Sequence, residues 1–304
     1  MEPELSRQPD ITVANQEPEE GKSLSPFQLA LKRFMRNKLA IIGVIIMVVI
    51  SIIAIFADVI ATHDPTKSDL LNIEMRASAD HILGTDGSGR DNFSRLVYGA
   101  RISLAIGFFA MLSTVIVGGT LGAIAGYYGK WVDGLIMRLT DLILIFPFLL
   151  MVLTVVAILE RMSITIFIMI MALISWPNIA RVLRGTFLSI REKEFILSAR
   201  SIGCSDFRII RKHFIPNAVG PIIVNATIMM AFMIIVESGL SFIGAGIPQP
   251  TPTWGNMLSE AQSIRVLRNN PETWLPPGLG ILLVVLAINF IGDGLRDAFD
   301  SKSI

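Results

Sequence analysis

LILIFPFLLMVLTVVAILERMSITIFIMIMALISWPNIA, residues Leu142 to Ala180, holds two uncharged runs, Leu142–Leu159 and Met162–Ala180, parted only by Glu160 and Arg161. Crossing a hydrocarbon core of roughly 30 Å takes about 20 helical residues, and each run reaches that length with its flanks. So tight a turn between two apolar runs is one that a soluble chain would not need. Outward from this hairpin, four more runs lack any charge: Ala40–Ala57, Ile102–Gly129, Phe214–Val236 and Thr273–Gly292. Of the 304 residues, 52% are hydrophobic and only 17% charged, against about 25% charged in a soluble domain. Mean hydropathy is +0.62.

Backbone groups in lipid must be satisfied within the protein, which leaves helices or a closed barrel. Period-2 alternation is absent. The predicted fold is therefore an all-α polytopic membrane protein of six spans, one N-terminal span followed by a five-span core. Residues 1–25 are polar, acidic and proline-containing, and read as a disordered tail. They do not read as a signal peptide, because the first apolar run comes too late. Residues 26–38 read as an amphipathic helix lying on the membrane surface, and 39–304 as one membrane domain.

Lys32, Arg33, Arg36 and Lys38 precede the first span, which places the N-terminus in the cytoplasm. Six spans return the C-terminus to the same side. The loop Arg181–Lys212 falls inside too, with eight basic residues against three acidic ones. The segments 63–101 and 246–277 fall outside, the second punctuated by prolines, with a short surface helix expected over Trp254–Ile264.

The inside loop continues to Pro216, where the chain returns to the bilayer. Glu194–Ile202 places Phe195, Ala199 and Ile202 on one helical face, with Arg200 on the same segment. Gly203 supplies the left-handed residue that closes a helix. Ser205 is placed to cap the next helix, Asp206–Phe214, which carries Arg208. The positive-inside rule accounts for the charge of this loop but not for two helices broken at a glycine. An apolar face on a cytosolic loop needs a groove to cover it.

Gly118, Gly122 and Gly126 recur every four residues, a spacing that lets helices approach closely in lipid. It suits contact with another chain, with a pathway helix, or packing within this one. Glu237 lies between two apolar stretches beside glycines that permit a break, so it is the foremost pathway candidate among the ionisable residues near membrane depth. Pro147 is positioned to kink the third span. His63, His81 and His213 form no metal-ligating set, since the topology puts the first two outside and the third inside. No phosphate-binding loop, HExxH helix or nucleophile–base pair occurs, so the chain reads as carrying no catalysis and no cofactor of its own. Its net charge of +1 gives no sign of nucleic acid, and the lone Cys204 forms no internal disulfide.

The inside loop resembles the EAA loop of ABC-importer permeases, E-A-A, three residues, G, nine residues, I-x-L-P. Gly203, Pro216 and Ala199 match; Leu197, Ser198, His213 and Ile215 depart from it. Leu83–Leu104 (LGTDGSGRDNFSRLVYGARISL), ESGLSFIGAG from Glu237, PTPTWGNML from Pro250 and NFIGDGLRDAFD from Asn289 resemble the peptide/nickel branch of these permeases, and within it the C-type subunit. The resemblance runs from about Pro26 to the end. It implies a multi-pass permease of a prokaryotic cytoplasmic membrane, paired with a second permease, two cytoplasmic ATPases that hold ATP and magnesium, and an extracytoplasmic binding protein. Residues 183–216 would then be the coupling loop, with Glu194, Phe195, Ala199, Arg200, Ile202, Gly203, Arg208 and Pro216 at the ATPase. Asp86, Arg90, Asp91 and Trp254 would face the binding protein. Peptide is the implied substrate, with nickel complexes and glutathione as alternatives. A secondary transporter would need paired charges at the bilayer midplane and often an inverted repeat, and neither is apparent.

Overall fold

Asn37 starts the first long helix: its side-chain oxygen accepts from the Ala40 N–H at 3.1 Å and satisfies one of the donors that a helix start leaves open. In the computed structural model, which describes residues 26–159 and 162–299, a short helix α1 (Pro26–Phe34) precedes that cap. From the cap runs α2 (Lys38–Ile55), then one turn, α3 (Ala57–Ile60). The tail predicted over residues 1–25 lies outside the described residues, as do Glu160 and Arg161. Ile45, Val48, Val49 and Ile52 stand exposed along α2, as lipid-facing side chains would.

Asp91 caps the next helix, α4 (Asn92–Tyr128), accepting from the Ser94 N–H at 2.7 Å. A 37-residue helix is about 55 Å long, more than a membrane core requires. After it come α5 (Lys130–Ile145) and α6 (Phe148–Ile158), bent by 83° where Phe146 is extended ahead of Pro147. Proline lacks the N–H of the helical ladder and forces its predecessor out of the helical region. The predicted span Leu142–Leu159 is corrected in extent: its helix begins twelve residues earlier, at Lys130, and the break falls at Pro147, where a kink was expected. Ser163 caps α7 (Ile164–Arg191).

The charged loop holds α8 (Glu194–Ser201) and α9 (Asp206–Ile209). A π-helical turn, Ile210–Phe214, then joins α9 directly to α10 (Ile215–Phe242). Beyond it, α11 (Trp254–Leu258) passes through a 3₁₀ turn, Ser259–Gln262, to α12 (Ile264–Asn269) and the last long helix, α13 (Pro271–Phe299). The short helix expected over Trp254–Ile264 is thus split, because its second half tightens to 3₁₀. Among the described residues five helices are long and apolar enough to cross a membrane, or six crossings if the bent pair counts as one. Among the described residues the strand-like pairing is a single bridge, Thr85 with Asp91. All-α polytopic holds.

The glycine stripe decides how the bundle packs. A Cβ on Gly118 would stand 2.5 Å from the Trp176 carbonyl oxygen, and one on Gly126 would stand 2.8 Å from that of Arg184. Gly122 meets the Ala180 carbonyl more closely still. The stripe is therefore the seam between α4 and α7, packing within the chain. Ile106, Phe167, Met171, Met233 and Leu240 fill the core between α4, α7 and α10, while Ile288 and Val284 of α13 pack with Trp254 and Ile234.

Candidate functional site

At one end of the bundle the elbow between α8 and α9 is tied to the last turn of α4. Gly203 has φ +79, its N–H bonds to the Arg200 carbonyl at 3.0 Å, and the Cys204 N–H reaches back to that of Ala199 at 3.1 Å. Those two bonds are the Schellman closure, which needs the left-handed residue that glycine supplies without strain. Glu194 sits in the first turn of α8, where a negative charge suits the helix start. The expected cap from Ser205 is not made, since its side chain forms no capping bond. Instead Asp206 accepts from the Tyr127 hydroxyl at 2.6 Å, and the Arg200 guanidinium lies 5.3 Å over the Tyr127 ring.

The single apolar face predicted for α8 is corrected. Ile196 and Ala199 turn inward against Ile209, Phe214, Phe187 and Ile190, while Phe195 and Ile202 point to solvent, Ile202 at 80% exposed. The reason lies beneath the helix, where Phe187, Ile190 and Phe214 form the surface that takes up Ile196 and Ala199. Phe207, also exposed, lines a surface groove with Arg208, Arg211, Lys212 and Pro216. The π turn ends just before Pro216, where the missing N–H and the ring interrupt a regular ladder.

At the opposite end the outer segments fold around buried charge. Asp86 accepts from the backbone N–H groups of Ser88 and Arg90 at 2.8 and 3.0 Å, and pairs with the side chains of Arg90 at 2.7 Å and Arg95 at 3.3 Å. Arg95 reaches on to the carbonyls of Pro65 and Pro250 at 3.1 and 3.2 Å. Trp254 donates its indole N–H to the Leu96 carbonyl at 3.0 Å. Asp86, Arg90, Asp91 and Trp254 are all at most 3% exposed, so the outward-facing role expected of them is corrected: they pin the outer segments together. Charge removed from water has to be paired and hydrogen-bonded, and these segments supply the partners. Leu70, Leu71 and Ile264 are the most exposed of the large apolar side chains there. Arg95, absent from the predicted set, is the hub of the network. Half-buried Glu260 lies beside them, and burial, then the Asp86 carboxylate, push its carboxyl above the ordinary value against the pull of Arg90 and Arg95.

Two histidines meet at this end as well. The rings of His63 and His81 lie 4.6 Å apart, and Asp80 sits within 4 Å of both. The sequence spacing gave no hint of this set, since a loop fold creates it.

Glu237 is fully buried on α10. The Ser241 hydroxyl donates to it at 2.8 Å and that of Ser103 at 3.4 Å, while Ser103 accepts from the Trp254 N–H at 3.1 Å. It thus knots α4, α10 and α11 together. The helix break expected beside it falls later, at Gly244 with φ +82.

Residues 118–304 match the family model described as the binding-protein-dependent transport system inner membrane component, and residues 25–77 match the N-terminal transmembrane domain of oligopeptide transport permease C. The chain is 44% identical over 280 residues to the dipeptide transport system permease protein DppC of Alkalihalophilus pseudofirmus, covering 92% of this chain and 91% of that one. It is 38% identical over 281 residues to the oligopeptide transport system permease protein OppC of Bacillus subtilis (92% and 91% covered). To the glutathione transport system permease protein GsiD of Escherichia coli it is 42% identical over 279 residues, 91% of each. A solved structure of the inward-facing MetNI methionine ABC transporter shares the fold, with TM-score 0.56 at 19% identity over 67% of this chain and 96% of that one. These are membrane transport components, not a catalytic enzyme family. With a family model matched over more than half its length and relatives aligned almost end to end, the chain belongs to the binding-protein-dependent transport system inner membrane component family, multi-pass proteins of the cytoplasmic membrane.

Proposed function

We propose that this chain is the C-type permease subunit of an ATP-driven importer that carries dipeptides or oligopeptides into the cytoplasm. The observation that carries the reading is the end-to-end likeness to permeases named for dipeptide and oligopeptide transport. A second permease would complete the translocation path, two ATPases would supply hydrolysis, and a binding protein would deliver substrate; this chain itself hydrolyses nothing. Both termini and the α8–α9 elbow lie in the cytoplasm in this reading, in line with the basic residues of 181–212. The exposed Phe195, Ile202 and Phe207 enter the ATPase groove, and Arg208 lies at its rim. Closure of the ATPases then moves the elbows as rigid bodies and alternates access. On the outer face the binding protein meets Leu70, Leu71 and Ile264, which the buried network below holds in place.

The test is uptake into proteoliposomes holding the full complex and its binding protein. Dipeptide or oligopeptide accumulation that requires ATP is expected. Accumulation without ATP would make the chain part of a secondary transporter, and ATP-dependent uptake of glutathione alone would favour the second reading, which the glutathione permease relative supports.

A further inference from the structure

We propose that His63, Asp80 and His81 form a binding site for a divalent transition ion of the zinc class, clipping the chain that leaves α3 to the chain that enters α4. One ligand atom from each residue lies within 4.8 Å of the other two. Asp80 faces both rings, its carboxylate oxygens 3.8 Å from His63 Nε2 and 3.9 Å from His81 Nε2.

The surroundings prepare both rings for a metal. His81 Nδ1 lies 2.9 Å from Asp91 Oδ1, and a carboxylate can only accept, so the proton sits on Nδ1 and the Nε2 lone pair is left bare. His63 Nδ1 lies 3.1 Å from the Thr62 hydroxyl, which donates onward to Asp91 Oδ2 at 3.4 Å. That leaves His63 Nδ1 the donor and its Nε2 bare as well. One buried carboxylate therefore sets the tautomer of two imidazoles and aims both free nitrogens at Asp80, the outer-sphere arrangement that orients metal-binding histidines. Asp91 is itself held by the Ser94 N–H as the cap of α4, so the frame is rigid.

Two imidazoles and a carboxylate suit borderline ions such as zinc better than calcium or magnesium, which favour oxygen. Three protein ligands leave a fourth position for water. A tetrahedral zinc ion with ligands at about 2.0–2.1 Å spaces them about 3.3 Å apart, so loading draws the three donors, now within 4.8 Å of one another, closer together, with Asp80 turning one carboxylate oxygen towards both rings. The Asp80 side chain is 84% exposed and has room to turn.

The test uses the full chain in detergent, purified by a tag without histidines and stripped with a chelator. Zinc chloride is titrated by calorimetry, with X-ray absorption on the loaded sample. The expected result is one saturable zinc per chain, unaffected by millimolar calcium or magnesium, with two imidazole nitrogens in the first sphere. His63→Ala and Asp80→Ala should each weaken binding by about tenfold or more, with metal-free melting unchanged, while His213→Ala at the far end should bind as the wild type does. Zinc should raise the melting temperature of the wild type and not of the two ligand variants. No saturable binding below about 100 μM, equal affinity in the ligand variants, or a first sphere without imidazole would each overturn the site.

Discussion

A methyl group is already too much for Gly122. Its helix rests on the α7 backbone at Ala180, so a side chain there has no flexible neighbour to displace. Gly122→Val is expected to part α4 from α7 at a cost of roughly 1–3 kcal/mol, the usual penalty of overpacking. A melting temperature in detergent equal to wild type would contradict it. Charge is as demanding on the outer face. Glu260 has a folded-state pKa above its unfolded one, so its contribution to stability is whole below the unfolded value, about 4.3, and is lost as pH rises through the folded value. Glu260→Gln should accordingly melt higher than wild type near neutral pH and alike at about pH 4. A difference that does not change between those two values sinks this account. Residue identities foretold these places unevenly. Spacing by four announced that Gly118, Gly122 and Gly126 lie in a close helix contact, but not with which helix. The resemblance turns the charges of the GTDGSGRD stretch towards a binding protein; only the fold shows that Asp86 is shared by Arg90 and Arg95.

At the level of elements, the elbow shows what periodicity can and cannot supply. The stop at Gly203 was legible, because a left-handed closure has a residue signature. The direction of α8 was not. An eight-residue helix has barely two turns, so the choice between Ile196 and Phe195 as the inward residue rests on what lies beneath it, here Phe187, Ile190 and Phe214. The same holds for Pro147: the sequence marks a kink, but not a bend of 83°. Ile202 and Phe207 are exposed, which separates their stability from their role. Ile202→Glu and Phe207→Glu should leave melting within about 0.5 kcal/mol of wild type and cut ATP-driven uptake at least several-fold, with ATPase co-purification reduced. Gly203→Ala strains the φ of +79 and should do both kinds of damage. Full uptake in the two exposed variants would remove the elbow from the ATPase contact.

For the whole molecule, composition and charge-free runs were enough for the fold class, because lipid tolerates so few alternatives. Orientation is a separate matter and has its own test. In a Cys204→Ser background, Leu71→Cys is expected to react with a membrane-impermeant maleimide added outside intact cells, and Ile202→Cys only after the membrane is opened. Labelling of both from one side would refute the six-crossing arrangement.

The length of α4 has a mechanical consequence. It is capped by Asp91, inside the outer charge network, and its penultimate residue, Tyr127, holds the elbow through Asp206. Glycines press its last three turns against the backbone of α7. A rod of about 55 Å pivoting at that seam by about 5° swings its outer tip, about 45 Å away, by about 4 Å, and its elbow tip, about 9 Å away, by less than about 1 Å in the opposite direction. Such a beam works as a rocker: whatever fixes one tip sets the rest position of the other, so changes that stiffen the outer segments should alter the ease with which the elbow swings.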